Sequence, residues 1–287
     1  MQKILIIGAT GMLGKPVAQA LITAGFNVTL LGRDENKLRA SFPHATIIKG
    51  DVLDKESLVK ALQGQDAVYS NLSVLQTSRQ KDPQPEREGI DNIIAAAKQA
   101  GIQRLANISS LVHLYNGMNG FRWWAFDIKH AAVEKIKTSG IPYTIFYPST
   151  FMETYPYQMM RGTKIAVLGK SVMPMWFIAA ADYGWQVARS FSVTDNKSRE
   201  YAIQGPEAYT FDEANKVFIE NYPKAALKTM KVPMGIMKFM GNFSQKFNYG
   251  WHICEALNNY PEKFESELTW QELGKPETTL ANFAKGL

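Results

Sequence analysis

The chain has 287 residues, a net charge of +6 and 46% apolar residues, and a chain of this length buries roughly three quarters of its unfolded surface on folding, so its core needs no staples. Cys254 is the single cysteine, which excludes an intramolecular disulfide and a cysteine-held zinc or iron–sulfur centre and suits a reducing cytosol. The positive charge is spread along the chain, without a Lys/Arg stripe interleaved with aromatics, so nucleic acid is not an expected partner, whereas a small polyanion is.

The chain opens with KILIIG (residues 3–8), a strand pattern with no leader-like segment before it. The longest apolar run, residues 172–181, is interrupted by Pro174 and has about half the length of a bilayer-crossing helix, so no integral membrane contact is expected and the cytoplasm is the expected location. Further strands are expected over 28–32, 45–50, 67–72, 104–109 and 143–148. Helical stretches such as PVAQALITAG and EGIDNIIAAAKQAG lie between them and end in glycine, the residue that accepts a left-handed C-cap. This alternation predicts an α/β fold, a doubly wound parallel sheet with right-handed crossovers.

After the first strand comes GATGMLG, with Gly8, Gly11 and Gly14 spaced three apart. Glycine there permits close backbone approach, and the free N–H groups and positive end of the following helix suit a diphosphate. The strand–turn–helix setting makes this a dinucleotide site, in which Gly8, Thr10, Gly11, Met12, Leu13 and Gly14 are the expected contacts. The second strand ends in LLGRDENK, where an acidic residue would favour a free ribose 2′-hydroxyl and a basic one a 2′-phosphate. Arg33, with Lys37 a turn later, points to NADP(H) over NAD(H), provided Asp34 turns away as a helix N-cap. Asp51 in GDVLD suits the adenine edge, together with the Val52 backbone, or equally a plain turn or cap. Asn71, closing the fourth strand, completes the expected cofactor set.

Beyond residue 150 the pattern loosens. Thr210 and Glu213 in TFDEA form a capping box. The segments FMETYPYQMM, VMPMWF and MGIMKFMGNFSQKFNYGW are rich in methionine and aromatics. Met234, Met237 and Met240, with Phe239, Phe243 and Phe247, predict one broad helical apolar face. Such a face packs into a core, walls a flat apolar ligand, or lies on a membrane through Lys231, Lys238 and Lys246. We divide the chain into a dinucleotide-binding domain over 1–150, completed by parts of 172–232, and a mostly helical substrate-binding part over 151–287.

Together GATGMLG, LLGRD, GDVLD, NISS at 107–110, KHAAVEKIKTSGIPYTIFYPSTFMET from Lys129, FIAAADYG, GPEAYTFDEA and the closing WQELGKPETTLANFA resemble the short-chain dehydrogenase/reductase superfamily. The resemblance is to its atypical NmrA-like branch, which includes isoflavone-reductase-like enzymes, quinone reductases and regulators, and it covers nearly the whole chain. It implies an active site in which a tyrosine exchanges a proton, a lysine four residues on holds the nicotinamide ribose, and a serine ending the fifth strand polarises the substrate. Residues four apart share a helix face. In FRWWAFDIKH the lysine is Lys129, the serine is Ser109 or Ser110, and the tyrosine position holds Ala125. A positioned acid or base typically contributes 10²–10⁴-fold, about 3–5 kcal/mol, so tyrosine-dependent chemistry is expected to be weak or absent. His113, Tyr115 and His130 lie nearby in sequence but read as ordinary loop or surface residues, and Tyr147 stands where the family often has arginine.

The expected function is NADP(H)-dependent hydride transfer to a planar apolar substrate such as a quinone or enone. The alternative is a non-catalytic redox sensor or scaffold that binds NADP(H) and reports through a protein partner or homo-oligomer.

Overall fold

Six of the parallel strands form where short apolar runs, too brief for helices, alternate with amphipathic stretches. The computed structural model describes residues 2–193 and 195–287. It shows β1 (Lys3–Ile7), α1 (Gly14–Thr23), β2 (Asn27–Gly32), α2 (Glu35–Ser41), β3 (Thr46–Lys49), α3 (Lys55–Leu62), β4 (Ala67–Ser70), α4 (Ile90–Ala100), β5 (Arg104–Ile108), α5 (Trp124–Lys137) and β6 (Tyr143–Pro148). One further parallel strand, β10 (Arg199–Ile203), has no counterpart in the sequence pattern, because REYAI opens on two charged residues and offers only three apolar ones in succession; its outer position beside β6 asks for less burial. The sheet order is β10-β6-β5-β4-β1-β2-β3, all parallel. The order reverses at β1 and β4, and the loops after their carboxyl ends part there into a crevice, the usual ligand site of such sheets.

Two apolar layers lie on the sheet's faces. One joins Ile4, Ile6 and Leu30 to Val17 and Leu21 of α1 and to Tyr183 and Val187 of α6 (Ala180–Ser192). The other joins Leu5, Val68 and Leu105 to α3, α4 and α5. The glycines expected to close the first and fourth helices do so, Gly25 at φ +86° and Gly101 at φ +69°.

Short strands and helices follow β6: β7 (Met160–Arg161), β8 (Lys164–Leu168), β9 (Met175–Trp176), β11 (Ala208–Tyr209), α7 (Phe211–Asn221), β12 (Lys228–Val232), α8 (Met234–Gly241), α9 (Gln245–Asn259), α10 (Glu267–Leu273) and α11 (Leu280–Lys285). Thr210 and Glu213 form the expected capping box. The predicted single apolar face over 234–247 is corrected: the helix breaks after Gly241, and α8 and α9 form a hairpin. A buried polar strap ties the C-terminal segment to the sheet. Ser149 Oγ after β6 donates to Glu262 Oε2 at 2.8 Å, and Gln204 Nε2 after β10 donates to Glu262 Oε1 at 2.7 Å.

Candidate functional site

The crevice between the loops after β1 and β4 is built by backbone approach. Gly8 has φ +85°, and a Cβ there would lie 2.4 Å from the Asn71 carbonyl oxygen; a Cβ on Gly14 would lie 2.1 Å from the Gly8 carbonyl oxygen. Both glycines are therefore demanded by the fold itself. Gly11 differs, since its Cβ would meet only ordinary contact, 3.4 Å from Gly8 O and 3.9 Å from Asn71 Nδ2. The packing of the turn therefore does not require glycine at that position, and the side facing away from Gly8 and Asn71 is open to a ligand. Helix α1 begins with no side-chain cap at Leu13 and no acidic residue in its first turn, so its positive end stays uncompensated. The cradle thus fits a diphosphate laid against Gly11, Met12 and Leu13.

At the end of β2, Asp34 Oδ1 accepts the Lys37 backbone N–H at 3.0 Å and so caps α2. The carboxylate is occupied locally, while Arg33 and Lys37 remain exposed. Asp51 adopts the turn role: its Oδ1 accepts Leu53 N–H at 3.0 Å, while its own N–H meets Ser57 Oγ at 3.1 Å. Val52 is buried against α4, and its carbonyl accepts Asn92 Nδ2 at 3.0 Å.

The far end of the crevice lies beyond β5 and the start of α5. Ser109 is buried at the end of β5 with its Oγ unpaired, whereas Ser110 is partly exposed and its carbonyl meets His113 Nδ1. Lys129 forms a salt bridge with Oε1 of Glu86, whose side chain is 2% exposed and whose Oε2 has no partner. Glu86 lies in the wide helical turn Pro85–Gly89 that leads into α4. Burial pushes its carboxyl up, and the neighbouring Lys129 ammonium pulls it back. Charge is costly here unless paired, so the two side chains hold each other in place.

Ala125 is buried, 3% exposed, in an aromatic cluster with Trp123, Phe126, Tyr115, Tyr249 and Tyr260. Helix α9 provides the outer wall: Tyr249 meets the Trp123 ring edge-on at 4.9 Å, and His252 stacks on the same ring at 5.2 Å. Burial, with the nearby Glu86 charge, pushes the Tyr249 phenol up to about 12. The Trp123 indole N–H is buried without an acceptor. Gln76, Ser78, Trp123, Trp124, Gln245, Asn248 and Tyr249 line a narrow gap beside it.

His113 is buried and stacked on Tyr147 at 6.0 Å, and burial lowers its pKa to about 4, so it is neutral at physiological pH. His130 is exposed, and Tyr147 donates to Glu200 Oε2 at 2.6 Å. Burial pushes the Cys254 thiol up to about 11. Sequence reasoning missed Glu86, Trp123 and Tyr249. Glu86 sits in a PEREG run that reads as an ordinary acidic helix start, and Tyr249 is 120 residues from Lys129, so no local spacing connects them.

The segment carrying the crevice matches the family model for NAD(P)H binding over residues 8–174. The chain belongs to this NAD(P)H-binding family. The photosystem II assembly factor Ycf39 of Synechocystis sp. is 24% identical over 262 residues, covering 89% of this chain and 78% of that protein. The (4-alkanoyl-5-oxo-2,5-dihydrofuran-3-yl)methyl phosphate reductase of Streptomyces griseus is 29% identical over 214 residues, covering 73% of this chain and 70% of that protein. The NADPH-dependent quinone oxidoreductase of Escherichia coli, solved with NADPH, has a TM-score of 0.77 at 21% identity, with 99% of each chain covered. Membership in the family makes NAD(P)H the cofactor of this chain. Among the described residues no helix is long and apolar enough to cross a membrane, and no cluster of side chains suits a metal.

Proposed function

We propose that this protein is an NADP(H)-dependent reductase that delivers hydride to a planar apolar acceptor of the quinone or enone class. The observation that carries this reading is the Lys129–Glu86 pair, held beside an aromatic wall where the tyrosine of the superfamily is replaced by a buried alanine. The bound nicotinamide supplies the hydride. Arg33 and Lys37, exposed beside the capped Asp34, take the 2′-phosphate, and the amides of Met12 and Leu13 take the diphosphate. Asn71 borders the cradle, with its Nδ2 2.8 Å from where a Gly14 Cβ would stand.

Lys129 serves as ribose anchor and as the cation facing the acceptor oxygen. Glu86 orients its ammonium, and the unpaired Ser109 Oγ adds a donor. Ser110, whose carbonyl is engaged with His113, is the weaker of the two serine candidates. Trp123 and Tyr249 close the site to water. A reduced quinone spreads its oxyanion charge over the ring, so a lysine, a hydroxyl or solvent can meet it without a tyrosine. The reductase of an oxo-dihydrofuranylmethyl phosphate and the quinone oxidoreductase among the similar proteins support this chemistry.

Steady-state NADPH oxidation with a panel of quinones is the test. Turnover that falls at least tenfold in Lys129→Met, with cofactor still bound, is expected. Equal rates in the variant, or none in the native protein, reject the proposal. In the second case the alternative gains: a sensor or scaffold, favoured by Ala125 and by the similarity to an assembly factor. Such a protein is expected to distinguish NADP⁺ from NADPH strongly in a fluorescence titration and to consume neither.

A further inference from the structure

Helix α8 is apolar on two sides, and the molecule uses only one. On that side Met237 Cε lies 3.1 Å from where a Cβ on Gly250 of α9 would stand, and the bare Gly241 lets Asn248 and Trp251 of α9 approach. On the other side Ile236, Phe239 and Met240, with Phe243 in the turn that follows, are 53, 64, 37 and 79% exposed. Their spacing of i, i+3, i+4 and i+7 lines them up along one stripe, and the Phe239 and Phe243 rings touch edge-on at 5.4 Å. Single exposed apolar residues are ordinary, but four large ones in a row mark a surface that something covers.

The surrounding charge indicates what covers it. Between Glu220 and Glu255 the chain carries five lysines (224, 228, 231, 238 and 246) and no Asp or Glu. All five are exposed, and among the described residues none is in a salt bridge. Lys238 reaches over the Trp251 ring at 5.2 Å, which keeps its charge beside the stripe. A second copy of the chain would set like charges against each other across such a face, which disfavours self-association. An interface that accepts apolar side chains and answers Lys238 within the stripe's helix and Lys246 three residues past Phe243 with anions is the headgroup boundary of an acidic bilayer.

We propose that α8 and the turn after it dock this protein peripherally on an anionic lipid bilayer. Ile236, Phe239, Met240 and Phe243 enter the boundary between headgroups and acyl chains, and the lysines meet lipid phosphates. No helix spans the membrane; α8 lies in its plane. This inference needs no redox chemistry and stands apart from the reductase reading.

Cosedimentation of the full-length protein with vesicles tests it, comparing phosphatidylcholine alone with an equimolar mixture of phosphatidylcholine and phosphatidylglycerol. Binding to the mixed vesicles is expected and to the neutral ones not. The double variant Phe239→Ser/Phe243→Ser is expected to lose roughly tenfold or more in partitioning per ring removed. Lys231→Gln/Lys246→Gln is expected to lose about fivefold per lysine. Both variants alter exposed side chains, and unchanged melting and NADPH titration will show that they fold. Three results overturn the proposal. One is no preference for anionic vesicles. Another is binding that salt abolishes but the phenylalanine substitutions leave intact, since charge alone then suffices. The third is a dimer, seen by light scattering, that Phe239→Ser/Phe243→Ser converts to monomer while vesicles go unbound.

Discussion

Gly11 and Gly14 look alike in the sequence, yet replacing each with alanine should have different consequences. At Gly14 the added Cβ falls 2.1 Å from the Gly8 carbonyl oxygen and 2.8 Å from Asn71 Nδ2. The first neighbour is backbone and cannot swing away, so the turn or α1 must shift. Overpacking of this kind costs about 3 kcal/mol, which in a chain of this size lowers Tm by roughly 6 °C or more. At Gly11 the closest atom is at 3.4 Å, and the backbone lies outside the left-handed region. Alanine there fits without strain, and its effect on stability should stay within about 0.5 kcal/mol. The new methyl group nevertheless occupies the place where the diphosphate must approach the amides. Losing hydrogen bonds to a charged group costs about 1.5–3 kcal/mol, a Kd weaker by roughly 10- to 150-fold. Thermal melting and calorimetric titration with NADPH separate the two effects. Gly14→Ala should lose stability and binding together, and Gly11→Ala binding alone. A Gly11→Ala protein that binds NADPH as tightly as the native one would falsify the placement of the diphosphate.

Three further outcomes are expected. Arg33→Ala should weaken NADPH by roughly 10- to 150-fold, the loss of a hydrogen-bonded charge pair, and leave NADH affinity unchanged; equal weakening of both coenzymes would contradict the 2′-phosphate role. Ala125→Tyr forces a phenol into a position 3% exposed, so it should cost about 1–3 kcal/mol of stability without raising quinone turnover; a variant that melts like the native protein and turns over faster would show that space for the tyrosine exists. Burial raises Glu262 from an ordinary 4.5 to about 7, so the folded chain binds this proton more tightly than the unfolded one, and stability should fall as pH rises from about 4.5 to about 7, by ~3 kcal/mol in all. Glu262→Gln keeps acceptors for Gln204 and Trp176 and a donor for Ser149, and should flatten that part of the stability profile; an unchanged slope in chemical denaturation would place the titration elsewhere.

The sequence by itself determined six parallel strands, the glycine turn, the capping box and NAD(P)H as ligand. Each is encoded locally, by apolar runs of strand length, by glycine where Cβ atoms collide, and by a side chain that caps a helix three residues away. Asp34 and Asp51 mark the edge of that legibility, since a carboxylate after a strand can serve a cap or turn as well as face the nucleotide, and only the folded chain shows which N–H it meets. Tertiary structure alone decided the rest. It brought Glu86 from a helix entry to Lys129, 43 residues away, and laid Tyr249 of α9 over Trp123. It enclosed Ala125 in apolar side chains, admitted REYAI to the sheet edge, and divided the methionine and phenylalanine positions of 234–247 between a half-buried side and an exposed one. These facts depend on which distant surfaces meet, and a pattern of period two or 3.6 says that a face will be buried without saying against what.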